Sequence, residues 1–350
     1  MDYTKVMDQL GYSASSPPPD HIMEIATYHY PLILFPFCEM VPRSKWCVDV
    51  PSYYMYKISL AANALFVAFF GASLFAFVAT YILRRRGFLF TIAMSLGVVV
   101  EIIGYMGRVM SWHNPWKLGY FLLQVCCLTI APVFLAAGLY LCLRRVVLVV
   151  GPEISRISPA WYTQIFIPCD LVSLVLQATG GGLACHASRR GKATKTGDEI
   201  MIAGLAFQVF TMAVYMLVAA DFAIRAYRRR SIEPPAGDPR MAQLHTSWRF
   251  QGFLAALALA TLCVFVRSVF RVVELSGGWS GNLMARQDLF ITFEGAMIVL
   301  AVVSLNIFHP VFCHSPLLED DPQKHGNLGK HKIGGTQAPS EKNERGHPGG

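Results

Sequence analysis

FLFTIAMSLGVVVEIIGYMGRVM, residues Phe88 to Met110, is the stretch on which the fold turns. It is apolar for long enough to cross a hydrocarbon core of about 30 Å, which takes roughly 20 residues of helix. Three arginines and a glycine (Arg84–Gly87) bound it on one side, and His113-Asn-Pro115 on the other. Within it stand Glu101 and Arg108, seven residues apart and therefore on one helical face. A charge at membrane depth costs at least ~2.5–3.5 kcal/mol at the helix centre, so each needs a reason to be there.

Six further stretches of the same kind flank it: Ile58–Leu83, Leu118–Leu143, Ile165–Cys185, Ile200–Ile224, Phe250–Val272 and Asp288–Val311. The fourth of the seven is interrupted by Pro168, Asp170 and Gly180–Gly182. None alternates with the two-residue period of a barrel strand, and in lipid a helix satisfies its own backbone. The whole composition agrees. Of 350 residues, 54% are hydrophobic and 15% charged, with a mean hydropathy of +0.43. Soluble domains carry roughly 25% charge and about 45–50% apolar residues. The predicted class is all-α, a polytopic membrane protein of seven transmembrane helices spanning 58–311. A segment 1–57 precedes the helices and a tail 312–350, poor in apolar residues, is expected to be disordered and cytosolic.

The net charge of +8 is read as basic loops facing a cytoplasmic leaflet rather than a nucleic-acid surface. Arg84–Arg86, Arg144, Arg145, Arg156, the Arg225–Arg249 segment and the tail fall on one side of the membrane. That side is expected to be the cytosol, which puts the N-terminus outside. The loop Arg189–Lys195 runs against this assignment. No apolar core of a signal peptide precedes the first span, so that span is expected to serve as its own insertion signal. Most cysteines lie within spans and act there as small apolar residues. Cys38 and Cys47 sit outside them, either as a disulfide or as two thiols.

With this topology the remaining charges converge in depth. Glu101 and Arg108, Arg267, Arg271 and Glu274, Asp288 and Glu294, and Gln124, Gln177 and Gln208 all fall in the outer half of the bundle. Asp170 and Asp221 fall in the inner half. The pattern suits a polar cavity opening outward, and it suits equally a set of pairs that fix helix packing. Pro132, Pro168 and the glycine triplet allow either helix rearrangement or close packing; the triplet is expected to loosen the outer end of the fourth span.

Absent motifs exclude other seven-helix functions. Every lysine lies outside the spans, which closes the retinal Schiff-base reading. His113, His186 and His309 stand at span ends without partners at ligand spacing, so no metal is expected. Gly191–Lys192 lacks the rest of a phosphate-binding loop, so no ATP site and no cofactor is expected. The receptor signatures are also missing: Leu143-Arg-Arg145 follows span three, and Asn306-Ile-Phe-His-Pro310 ends span seven. A lipid-sensing receptor shares the topology and stands as the alternative.

The residues resemble those of the fungal lipid-translocating exporters, the RTA-like seven-helix membrane proteins. The resemblance runs from about Tyr54 to Pro310. It is carried by Ser59-Leu-Ala-Ala-Asn63-Ala-Leu-Phe66, Glu101-x-x-Gly104-Tyr105-x-x-Arg108, Gln124, Ala131-Pro132 and Ala136-Ala137-x-x-Tyr140. Asp170, Gln177-x-x-Gly180-Gly-Gly182, Gly204 and Gln208 continue it, followed by Arg267-x-x-Phe270-Arg271-x-x-Glu274-x-x-Gly277 and His309-Pro310. Lys57-Ile58, the order Asp288 then Glu294, and Val311 depart from the pattern. The resemblance implies a non-enzymatic exporter of lipids or amphiphiles, such as sphingoid long-chain bases, phospholipids, sterol-like toxins or secondary metabolites. It implies a plasma-membrane site and a role in stress or drug resistance. Glu101, Glu274 and Glu294 would then accept an ammonium head group. Arg108, Arg267 and Arg271 would meet a phosphate or balance those carboxylates, with Gln124, Gln177 and Gln208 lining the same cavity.

Overall fold

The computed structural model describes residues 35–40, 42, 47, 50, 52–54, 56–189, 193–232, 248–277, 283 and 285–310. The readings of the first 34 residues and of the 312–350 tail lie outside the described residues. Seven helices are long and apolar enough to cross a membrane, so the chain is an integral, multi-pass membrane protein. They are α1 (Leu60–Arg84), α2 (Phe88–His113), α3 (Leu118–Val150), α4 (Trp161–Gln164 continuing as Phe166–Arg189), α5 (Lys195–Ile232), α6 (Trp248–Ser276) and α7 (Gln287–Ile307). Among the described residues a short helix, Phe35–Met40, precedes the bundle.

Local chemistry sets the ends. Ser59 caps α1 by accepting from the Ala62 N–H at 3.4 Å. The turn into α2 takes two left-handed residues, Arg85 at φ 49° and Gly87 at φ 78°. Glycine meets that demand without a Cβ penalty, whereas the arginine stands in a region uncommon for side chains of its size. In α4 the break at Ile165 follows Gln164, the residue four before Pro168, to whose carbonyl a proline has no N–H to give. The helix α5 holds 38 residues, about 57 Å at the α-helical rise. The apolar run expected there was shorter, because hydropathy marks the stretch within lipid and not the helical extension into water.

α2 packs between α1 and α3, α4 lies along α5, and α6 contacts α3, α5 and α7, with α7 returning to α1. The buried core runs through Phe70, Phe77, Met94, Leu128, Leu139, Tyr140, Val264 and Ile298. Outward, the bundle presents large apolar side chains such as Phe75, Leu83, Val175, Phe210 and Leu217, as lipid contact requires. At the end where α1 terminates, Arg156 and Arg225 pair with Asp221, and Arg229 with Glu153. These pairs are exposed and contribute little stability. Nearby, the buried His309 packs edge-on against Phe90 and tilted against Phe77.

The glycine triplet does not loosen α4, which runs unbroken through it to Arg189. Gly180 instead lets two backbones touch. A Cβ there would lie 2.8 Å from the Cα of Met201 on α5, the small-residue approach typical of membrane helices. Gly180→Leu should therefore cost about 1–3 kcal/mol by overpacking, read as a lowered thermal midpoint in detergent. Gly182→Leu has nothing within 4 Å to displace and should leave the midpoint unchanged.

Candidate substrate site

The centre of the bundle contains charge. α7 is not a regular helix: Phe290–Ala296 is wound as a π-helix, a local widening often found at functional positions. Its buried acidic residue, Glu294, meets two arginines that α6 presents four residues apart. Arg267 Nη2 donates to Glu294 Oε1 at 2.6 Å, and Arg271 Nε lies 3.7 Å from the same oxygen. Arg271 Nη1 donates to Glu274 Oε2 at 2.6 Å. All four side chains are buried.

Pro132 explains how Arg267 finds a second acceptor. A proline has no N–H to give to the carbonyl four residues back, which here is Leu128, and Arg267 Nη2 donates to that Leu128 carbonyl. α3 stays helical through Pro132. The proline thus frees a backbone acceptor inside the membrane, and a buried guanidinium takes it.

Glu101 points into this same centre from α2, with Arg267, Glu294 and Arg271 as its electrostatic neighbours. It is fully buried, yet among the described residues neither of its oxygens has a hydrogen-bond donor. The Tyr105 hydroxyl, one turn along, is likewise buried without a partner among the described residues.

Arg108 shares a face with Glu101 but does not pair with it. Its Nε donates to Asn63 Oδ1 at 2.9 Å and its Nη2 to the Tyr56 hydroxyl at 3.0 Å. Its guanidinium lies 4.0 Å from the centroid of the Phe290 ring, a cation–π contact. It lines a cleft of about 30 Å³ at the end where α1 begins, with Arg271, Glu274, Gln124, Phe290 and the tyrosines 53, 54 and 56. That is room for water, not for an alkyl chain. Tyr54 donates to Gln124 Oε1 at 2.6 Å and lies 3.0 Å from Ser111 Oγ. Burial pushes the Tyr54 hydroxyl up to about 12, so it stays a donor throughout the physiological range. Tyr54→Phe leaves the Gln124 acceptor without its partner and should cost about 1–3 kcal/mol, measured by thermal unfolding.

The remaining glutamines are elsewhere. Gln177 donates to Gln208 at 2.9 Å across the α4–α5 contact, and among the described residues no hydrogen bond links this pair to the charged centre. Deeper in the same contact, Asp170 accepts from Tyr140 at 2.8 Å and from Thr211 at 3.1 Å. Asp288 is also no part of the cavity: it is exposed at the start of α7 and paired with Arg286 at 2.7 Å. Sequence reading therefore assembled one site where the structure has a charged centre, an adjoining cleft and a separate polar seam. It missed Tyr54, Tyr56 and Phe290 as walls of the cleft, although the run Tyr53-Tyr-Met-Tyr56 at a membrane edge is an aromatic-belt signal. Outside the bundle Cys38 and Cys47 are joined in a disulfide, and Asn114 in the α2–α3 loop donates to the Glu39 carbonyl at 2.8 Å. Among the described residues no cluster of His, Cys, Asp or Glu could hold a metal ion.

A family model described as RTA1 like protein matches residues 94–316. The sphingoid long-chain base transporter RSB1 of Saccharomyces cerevisiae is 35% identical over 277 residues, 73% of this chain and 72% of that one. Protoporphyrin uptake protein 1 of the same yeast is 27% identical, covering 60% of this chain and 65% of its own length. Protein RTM1 is 28% identical, covering 63% and 67%. No solved structure matches.

Proposed function

The chain belongs to the RTA1-like family, and on that premise we propose that it transports lipids or lipid-like amphiphiles across a membrane. The direction is outward, from the inner to the outer leaflet of the plasma membrane, with the N-terminus outside and the basic ends of α1, α3 and α5 in the cytosol. Its substrates are amphiphiles such as sphingoid long-chain bases, phospholipids, sterol-like toxins or secondary metabolites, and their removal confers stress or drug resistance. The similar proteins are named for transport and uptake, which supports a role without catalysis.

One observation carries the reading: a buried group of Glu101, Arg267, Arg271, Glu274 and Glu294 adjoins a cleft walled by Arg108 and Gln124. Intramembrane ions of this kind mark substrate paths. The head group would enter through the cleft while the tail stays on the apolar outer face. Glu101 and Glu274 offer acceptors to an ammonium, and Arg108 and Arg271 offer donors to a phosphate. Gln177 and Gln208 support the wall through the α4–α5 contact. The test is flux: purified protein in liposomes should speed the transbilayer movement of a labelled long-chain base or phospholipid. Rates equal to those of protein-free liposomes for every amphiphile tried would reject transport.

A further inference from the structure

Glu101 is buried at the heart of the bundle, and among the described residues neither oxygen receives a donor. The groups facing it from each packed element are few. α6 brings Arg267 and Arg271, α7 brings Glu294, α3 brings the Cys127 thiol, and its own helix brings Tyr105. From α1, the buried Asn63 is spent on Arg108.

Both α6 arginines are aimed at other acceptors, although among the described residues Arg267 Nε and Arg271 Nε and Nη2 have no hydrogen-bond partner. Arg267 binds Glu294 and the Leu128 carbonyl, while Arg271 binds Glu274 and faces Glu294. Glu101, Glu274 and Glu294 face Arg267 and Arg271, and Glu274 also faces Arg108 across the cleft; none of these cations is hydrogen-bonded to Glu101. Arg108 is turned to the cleft and held by Asn63, Tyr56 and Phe290. Asp170 shows what a settled buried carboxylate looks like in this fold, because two hydroxyls donate to it. Glu101 has no such donors, and a carboxylate that accepts no hydrogen bond is costly to ionise in a dry interior even with cations nearby. It therefore holds a proton until a cation arrives to replace it.

We infer that Glu101 is a proton-exchange site that couples outward movement of one cationic head group to inward movement of one proton. The inference rests on the transport reading above. The balance is closed: the ammonium keeps its own protons, and its arrival releases the Glu101 proton to the aqueous phase that the site then faces. Its departure on the other side lets a proton from that side take its place. No net charge crosses, and no co-reactant is needed.

The experiment uses the full chain in phosphatidylcholine vesicles loaded with a pH-sensitive dye. The probe is a fluorescent single-chain quaternary ammonium, which cannot carry a proton itself and so escapes weak-base trapping. Probe movement should be matched by opposite proton movement, and a gradient of about one pH unit should sustain about tenfold probe accumulation. Glu101→Asp should keep the coupling, and Glu101→Gln should lose the proton movement. Probe movement with no proton movement, or proton movement surviving in Glu101→Gln, overturns the inference and leaves transport standing. So does movement of a labelled long-chain base without movement of the permanent cation. If neither amphiphile moves, the transport reading falls and the inference falls with it.

Discussion

Glu294→Ala is expected to destabilise the bundle by about 3–5 kcal/mol, the range measured when one partner of a buried ion pair is removed. Glu294 is the acceptor that both α6 arginines share: Arg267 at 2.6 Å and Arg271 at 3.7 Å. Its loss leaves Arg267 with the Leu128 carbonyl alone and Arg271 with Glu274 alone. Polar contacts between membrane helices often contribute less, about 0.6 kcal/mol on average, because the unfolded chain in lipid finds other partners. That average concerns hydrogen bonds, whereas here two buried cations lose their common counter-charge, and desolvation dominates. Unfolding of the purified protein in mixed detergent would measure it. A loss under about 1 kcal/mol would show that the arginines re-pair within the bundle. Glu294→Gln, which keeps an acceptor but not the charge, should fall between.

Glu101→Gln should behave in the opposite way. Among the described residues no donor relies on Glu101, so an amide of the same shape takes no partner from a neighbour, and thermal stability should change by less than about 1 kcal/mol. Transport should be strongly impaired. A hydrogen bond to a charged group contributes about 1.5–3 kcal/mol, so losing it at an ammonium should lower efflux of a long-chain base about ten- to hundredfold. Cells relying on this chain against a toxic base should become sensitive while membrane levels of the protein stay normal. Wild-type resistance at normal level would remove Glu101 from the substrate path. The two glutamates, both buried, are thus separated by one measurement of stability and one of flux.

The seven spans were legible because a bilayer imposes a length and a composition that no other constraint blurs. Glu101, Arg267, Arg271, Glu274 and Glu294 were legible for a related reason: charge in an apolar helix is conspicuous. What stayed hidden is partner choice. Seven-residue spacing puts Glu101 and Arg108 on one face, but a long arginine side chain reaches past its own turn, and Arg108 ends beside Asn63, Tyr56 and Phe290. Depth alone also grouped Gln177 and Gln208 with the charges, although helix order around the bundle puts them on the α4–α5 contact. From sequence, Pro132 allows either helix rearrangement or close packing. Only the position of Arg267 on a neighbouring helix shows that its effect is to leave the Leu128 carbonyl available.

The wide turn of α7 has a consequence for how this wall can vary. Each residue of a regular helix advances the direction of side chains by about 100°. The direction of Glu294, ahead of the buried Ile298, Ala301, Val302 and Leu305, therefore depends on the residue that the π segment accommodates. A π turn holds one residue more than an α turn between the same two helical faces, so deleting one residue of 290–296 would give a regular α-helix whose two ends keep their neighbours. What would change is the direction of the side chains inside the turn, Glu294 among them. The extra residue thus sets where Glu294 points without disturbing the apolar stripe that follows it.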